Sequence, residues 1–152
     1  MTSNDAPARK LPGNLNTNRR LDRWLRINRD GTVTVFPGKV EIGQGILTAL
    51  AQIVAEELDV SYGRVRLAPA DTTYSPDEGM TSGSQSITDS GAALRYAAAE
   101  VRDLLLQRAA ARLGVSLEQL SVTDGVITAR SGGNVKYWDL VSDDLLAREA
   151  TA

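Results

Sequence analysis

The sequence contains no cysteine and no histidine. Those two absences remove thiolate nucleophiles, cysteine and histidine zinc sites, a Ser-His-Asp triad and cysteine ligation of iron–sulfur clusters from these residues. No apolar run approaches the roughly 18 residues that a membrane-spanning helix needs. A broad excess of basic charge is missing too: 17 Lys and Arg stand against 19 Asp and Glu, a net charge of −2. A general nucleic-acid binder would show the opposite balance. What remains is a chain of 152 residues, 42% hydrophobic and 24% charged. That composition fits a globular protein with one core.

The charge is unevenly spread. Residues 1–29 carry Arg9, Lys10, Arg19, Arg20, Arg23, Arg26 and Arg29 against Asp5 and Asp22 alone. Such a stretch either engages an acidic partner or is a solvated tail, and the usual behaviour of termini favours the tail. Residues 1–20 are rich in Pro, Asn, Gly and charge, show no hydrophobic period and read as an N-terminal arm. No apolar signal-peptide core follows Met1, which is the pattern of a cytoplasmic protein or of one exported on a partner's signal to the periplasm or the membrane periphery.

From Leu21 the pattern becomes that of a domain over residues 21–152. The run LDRWLRI, a turn at residues 28–31, and TVTVF predict a β-hairpin. Pro37 and Gly38 interrupt it, and residues 39–42 resume an extended run before Gly43 and Gly45. Ile46 to Leu58 is apolar around most of its circumference and predicts a buried helix. A strand over residues 65–70 would pair parallel with the strand before that helix, giving a βαβ unit. Leu94, Ala98, Val101, Leu105 and Ala109 recur at helical spacing, predicting a long helix from about Ala92 to Leu113, ended by Gly114. Ser116 and Gln119 fit a capping box, Asp124-Gly125 a two-residue hairpin turn, and residues 138–149 a weak terminal helix. The expected architecture is α/β: a small mixed sheet packed by two main helices.

Two segments can carry chemistry. Gly43, Gln44 and Gly45 lead from a strand into a helix. Backbone N–H groups at a helix start attract oxyanions, glycine permits close approach, and Gln44 adds an amide that donates and accepts. Thr81, Ser82, Gly83, Ser84, Gln85 and Ser86 form a second small-residue loop ahead of a helix. Each has a bland reading, a structural turn and a surface loop; together they fit one shared anionic ligand. Glu41 and Glu78 are the carboxylates nearest in sequence, with no visible partner to tune them. Glu56, Glu57 and Asp59 read as the exposed end of the first helix, and Lys39 and Lys136 as surface lysines able to contact phosphate.

The segment GKVEIGQGILTALAQIVAEELDV resembles the place in the xanthine dehydrogenase and aldehyde oxidase family where a GG-x-E-x-GQG motif opens onto a helix of the molybdopterin-binding subunit. The likeness continues through VRLAPADTTYSPDEGMTSGSQSITDSGAALRYAAAEV, similar to that family's Ser-rich cofactor loop, and covers nearly all of the chain after Leu11. It is nearest to the start of bacterial nicotinate dehydrogenase and isoquinoline oxidoreductase large subunits. One departure is Pro37 before Gly38, where many relatives have a second glycine. The resemblance implies a molybdenum–molybdopterin cofactor of the cytosine dinucleotide form usual in bacteria, with Gly43, Gln44 and Gly45 beside the metal and pterin. Gln44 would stand second to the metal, bonding a metal oxygen or the cofactor. Thr81, Gly83, Ser84 and Ser86 would bind the cofactor through hydroxyls and backbone amides. The family oxidises aldehydes or hydroxylates N-heterocycles and passes electrons to iron–sulfur clusters.

The resemblance also places the family's catalytic glutamate near the far end of the large subunit, so no catalytic residue is assigned in this chain, and Glu41 is not its counterpart. It implies a piece of a split enzyme, or a fragment of a longer subunit, inactive alone. The partners would be a larger molybdopterin-binding subunit, a subunit with two [2Fe-2S] clusters and, as acceptor, a cytochrome c. The largely apolar first helix points the same way, since uncovered apolar surface becomes an interface. A non-catalytic assembly module and a stand-alone phosphate- or nucleotide-binding domain are the alternatives.

Overall fold

The computed structural model describes residues 10–37, 45–69 and 90–151. The residues before 10, those of 38–44 and 70–89, and Ala152 lie outside the described residues, and the extended run expected over 39–42 falls there.

β1 (Leu25–Ile27) and β2 (Val33–Val35) form the expected hairpin, with Leu25 opposite Val35 and Ile27 opposite Val33. Their alternation places Leu25, Ile27, Val33 and Val35 in the core while Arg26 faces solvent. α1 (Ile46–Leu58) follows with the bounds its periodicity predicts, and β3 (Val65–Leu67) returns parallel to β2. The βαβ unit is therefore present, with β3 three residues long and ending before Pro69. The mixed sheet has the order β1-β2-β3.

α2 (Ala92–Leu113) is the long helix, and Gly114 ends it in the left-handed conformation at φ 67°. All five of its predicted stripe residues are fully buried, joined by Ala93 and Ala97. β4 (Leu120–Thr123), β5 (Val126–Ala129) and β6 (Asn134–Lys136) make an antiparallel meander. Its first turn, Asp124-Gly125, has φ of 48° and 75°, the pair of positive angles that a tight two-residue hairpin requires. This second sheet adds to the single small sheet expected from sequence.

α1 buries Ile46, Leu50, Ala51, Val54, Ala55 and Leu58 and leaves Gln52 and Glu56 exposed. It packs on α2 and β3, so the chain itself covers most of the apolar surface that suggested an outside partner for this helix. The last turn of α1 is sealed by the meander. The Tyr137 hydroxyl donates to the Leu58 carbonyl at 2.7 Å, and the Gly125 N–H donates to the Asp59 carbonyl at 2.9 Å. Glu57 and Asp59 are ion-paired with Arg95 and Arg102 at 2.8 Å each, so that acidic run is held to α2 rather than merely solvated.

Three sequence expectations change. The N-terminal arm does not extend to residue 20: Leu11 and Leu15 are buried in the core, and the 3-10 turn of Gly13–Asn16 packs on α2. The apolar residues there are too few to show a period, but two suffice to anchor the segment. Ser116 precedes a short 3-10 turn at Leu117–Gln119 without making a side-chain cap bond. The terminal helix is only α3 (Tyr137–Leu140). Val141 leaves helical geometry at ψ 140°, and Arg108 takes up the Leu140 carbonyl at 2.9 Å and the Ser142 hydroxyl at 2.8 Å. The chain then runs beside residues 19–22 and ends against α2, where Glu100 accepts from the Thr151 N–H.

A Cβ at Gly125 would stand 2.7 Å from two ring carbons of Trp138, whereas one at Gly132 meets nothing within 4 Å; both have positive φ. Gly125→Ala should therefore lower stability by about 1–3 kcal/mol more than Gly132→Ala does, because overpacking adds to backbone strain. Thermal or urea unfolding of the two variants measures the difference.

Candidate functional site

The glycine turn re-enters the described structure at Gly45, the N-cap of α1, with φ 72° and ψ 18°. A residue with a Cβ is strained there, and glycine is not. Gly45 is exposed, a Cβ on it would meet nothing within 4 Å among the described residues, and the first turn of α1 contains no acidic residue. The partial positive charge of the helix start is thus not countered by the helix's own side chains. The Ser-rich segment re-enters at Ser90, which is fully buried, and Gly91 caps α2, again with no acid in the first turn. Of the residues assigned to the site, Gly45 alone is described. Gly43, Gln44, Thr81, Gly83, Ser84 and Ser86 lie outside the described residues, as do Glu41, Glu78 and Lys39. Lys136 is exposed at the end of β6.

Among the described residues the strongly perturbed titratable groups lie away from Gly45 and are structural. Arg64 donates to both carboxylate oxygens of Asp124, from Nε at 2.9 Å and from Nη2 at 3.0 Å. Its Nη1 donates to the Gly31 carbonyl at 3.0 Å, and its guanidinium lies over the Trp138 ring at 4.6 Å. The bond from Arg64, followed by those from the Ser61 hydroxyl and N–H, holds the Asp124 carboxyl far below the usual carboxylate range. Burial pushes the Tyr137 phenol far above its ordinary value, while the nearby Arg102 works against that rise. Neither group is suited to proton transfer near neutral pH. Among the described residues no cluster of carboxylates could hold a metal ion, and no helix is long and apolar enough to cross a membrane.

A concavity of about 700 Å³ opens along β1, with Arg20, Arg23, Arg26 and Arg29 among its lining residues. Neither Gly45 nor Ser90 lines it. In sequence these arginines have the character of a solvated tail; the placement of β1 and of the turns on either side is what gathers them.

The profile of the molybdopterin cofactor-binding domain matches residues 10–151. The chain belongs to that family, the molybdopterin-binding part of xanthine oxidase-type enzymes. It is 42% identical over 123 residues to one of the subunits of nicotinate dehydrogenase from Pseudomonas putida, a match covering 81% of this chain and 10% of the relative. To the beta chain of isoquinoline 1-oxidoreductase from Brevundimonas diminuta it is 37% identical over 127 residues, covering 78% and 16%. Among solved structures, quinoline 2-oxidoreductase from Pseudomonas putida 86 aligns with a TM-score of 0.64 at 27% identity over 76% of this chain and 15% of the other. CO dehydrogenase from Oligotropha carboxidovorans aligns with a TM-score of 0.67 over the same shares. The chain thus spans about a tenth to a sixth of the length of these relatives.

In this molybdopterin-family domain the Asp124 carboxyl is depressed, so its contribution to stability is present above the ordinary carboxylate pKa and is lost as pH falls below it. Asp124→Asn, which keeps the left-handed turn, should cost about 1 kcal/mol at neutral pH, since a half-exposed pair is screened by solvent. The gap between wild type and variant should begin to narrow below about pH 4 and shrink further as the pH falls toward the depressed pKa. Urea denaturation between neutral and acid pH follows it.

Proposed function

We propose that the domain supplies part of a molybdopterin site in a molybdenum hydroxylase, with Gly43, Gln44, Gly45, Thr81, Gly83, Ser84 and Ser86 as its contacts. The observation that carries this is the family match over residues 10–151, which contains both small-residue loops. What supports it locally is that Gly45 is exposed and left-handed at the start of α1, a helix whose own first turn carries no acid, as suits an approach by a phosphate-bearing pterin. Gln44 would orient the cofactor through its amide, and Thr81, Ser84 and Ser86 would donate hydroxyl hydrogens to anionic oxygens. When bound, the cofactor supplies redox chemistry at molybdenum, and the protein supplies position and charge stabilisation.

Relatives named for nicotinate, isoquinoline and quinoline favour hydroxylation of an N-heterocycle over aldehyde oxidation. The finer reading is a cytosine dinucleotide form of the cofactor shared with a larger molybdopterin-binding subunit. In this reading electrons pass to [2Fe-2S] clusters on another subunit and onward to a cytochrome c; the residues of this chain include no cysteine to hold a cluster. The domain alone lacks the catalytic glutamate and is inactive in isolation.

Metal analysis and cofactor extraction of the purified complex provide the test. Gln44→Ala and Ser84→Ala should each lower molybdopterin occupancy by about tenfold or more, as loss of a group that orients a metal centre does. Occupancy and turnover unchanged in both variants would instead support a non-catalytic assembly module.

A further inference from the structure

The basic stretch of the sequence places an arginine at every third residue, Arg20, Arg23, Arg26 and Arg29, and all four are exposed. A step of three is neither the strand period nor the α-helical one, so the spacing by itself defines no face. The structure defines one. A 3-10 turn, Leu21–Arg23, precedes β1, and in such a turn residues three apart lie one above the other. On β1 Leu25 and Ile27 turn into the core, leaving Arg26 as the strand's exposed side chain, and Arg29 follows in the hairpin turn. All four arginines line the concavity of about 700 Å³.

The other side of the concavity comes from residues 141–146, and it is fixed in place. The Asp22 N–H donates to the Leu146 carbonyl at 3.0 Å, and the Ser142 hydroxyl accepts from Arg108 at 2.8 Å while donating to Asp144. Four guanidiniums stand against two carboxylates, those of Asp22 and Asp143, so the lining keeps an excess of two positive charges. Arg20 and Asp22 answer each other through two bonds, at 3.0 and 2.6 Å. Among the described residues Arg26 and Arg29 have no carboxylate partner. The Arg26 guanidinium lies over the Phe36 ring at 5.3 Å, which restrains it before any ligand arrives.

We propose that this concavity binds a compact oxyanion with two negative charges, a phosphate monoester or a dicarboxylate, through the guanidiniums of Arg26 and Arg29. A guanidinium offers paired N–H donors whose spacing fits the oxygens of either group. The volume falls within the roughly 300–1,000 Å³ of small-molecule sites. Charge selects against large occupants. The chain as a whole carries −2, so a nucleic acid, a membrane or a broad acidic protein face meets net negative surface beyond the concavity. A compact dianion meets only the local positive excess. Neither Gly45 nor Ser90 lines the concavity, so the inference is independent of the cofactor reading.

The test is an NMR titration of the full chain with methyl phosphate, succinate, acetate and oligothymidylate at matched ionic strength near neutral pH. Methyl phosphate or succinate should bind one to one with a dissociation constant of about 10 mM or tighter, shifting the amides of Asn28, Arg29 and Ser142, and the tighter of the two names the natural group. Acetate should bind about tenfold more weakly. Arg26→Gln combined with Arg29→Gln should weaken dianion binding by about tenfold and leave the rest of the amide spectrum in place, and Asp143→Asn should tighten it by about threefold. Weaker binding of both dianions, equal binding of acetate, a tighter hold on oligothymidylate per phosphate, unchanged binding in the double variant, or shifts centred on Gly45 would each overturn the proposal. None of these outcomes bears on cofactor occupancy in the complex.

Discussion

Leu50, Val54 and Leu58 are fully buried along one face of α1, and covering that face takes both β3 and α2. Most other features follow from it. The parallel return of β3 beside β2 brings the chain back over the helix, and α2 closes the other side with a face made largely of alanine, which lets the two helices approach closely. Each fully buried leucine contributes on the order of 2 kcal/mol, more than any surface pair in the molecule. The ion pairs of Glu57 with Arg95 and Asp59 with Arg102 fix register and orientation on a contact whose energy is apolar.

The two ends of α1 are treated differently, and that asymmetry bears on function. At its C-terminal end the carbonyls of Leu58 and Asp59 accept bonds from Tyr137 and Gly125, so the meander closes off the helix. Arg64 ties the same corner together by bonding Gly31 in the hairpin turn and Asp124 in the meander turn while stacking on Trp138. At its N-terminal end α1 has an exposed glycine and no acid in its own first turn. A helix whose own first turn carries no acid, begun by an exposed left-handed glycine, is the local physical argument for an anionic ligand there.

Much of this architecture is legible in the sequence because it depends on short-range rules. α1 and α2 can be read from apolar spacing, the Asp124-Gly125 turn from the need for two positive φ angles, and the Gly114 stop from the same steric argument. The terminal helix cannot. Residues 138–149 have helical spacing, yet Arg108 from α2 claims the Leu140 carbonyl, and residues 19–22 offer a strand partner. Leu11 and Leu15 likewise look like part of an arm, because nothing local reveals that α2 presents a place for them. Of the candidate site, residue types and spacing are readable and the mutual placement of the two loops is not, since that depends on contacts between segments distant in sequence.

The sequence by itself determined the two main helices and the hairpins, because propensity, period and turn sterics act over a few residues. Tertiary structure alone decided that four arginines from an apparently solvated stretch line one groove and that residues 141–146 form its other side. Those facts depend on how residues 141–150 pair with residues 19–22 and then diverge, a pairing between opposite ends of the chain that no local pattern encodes.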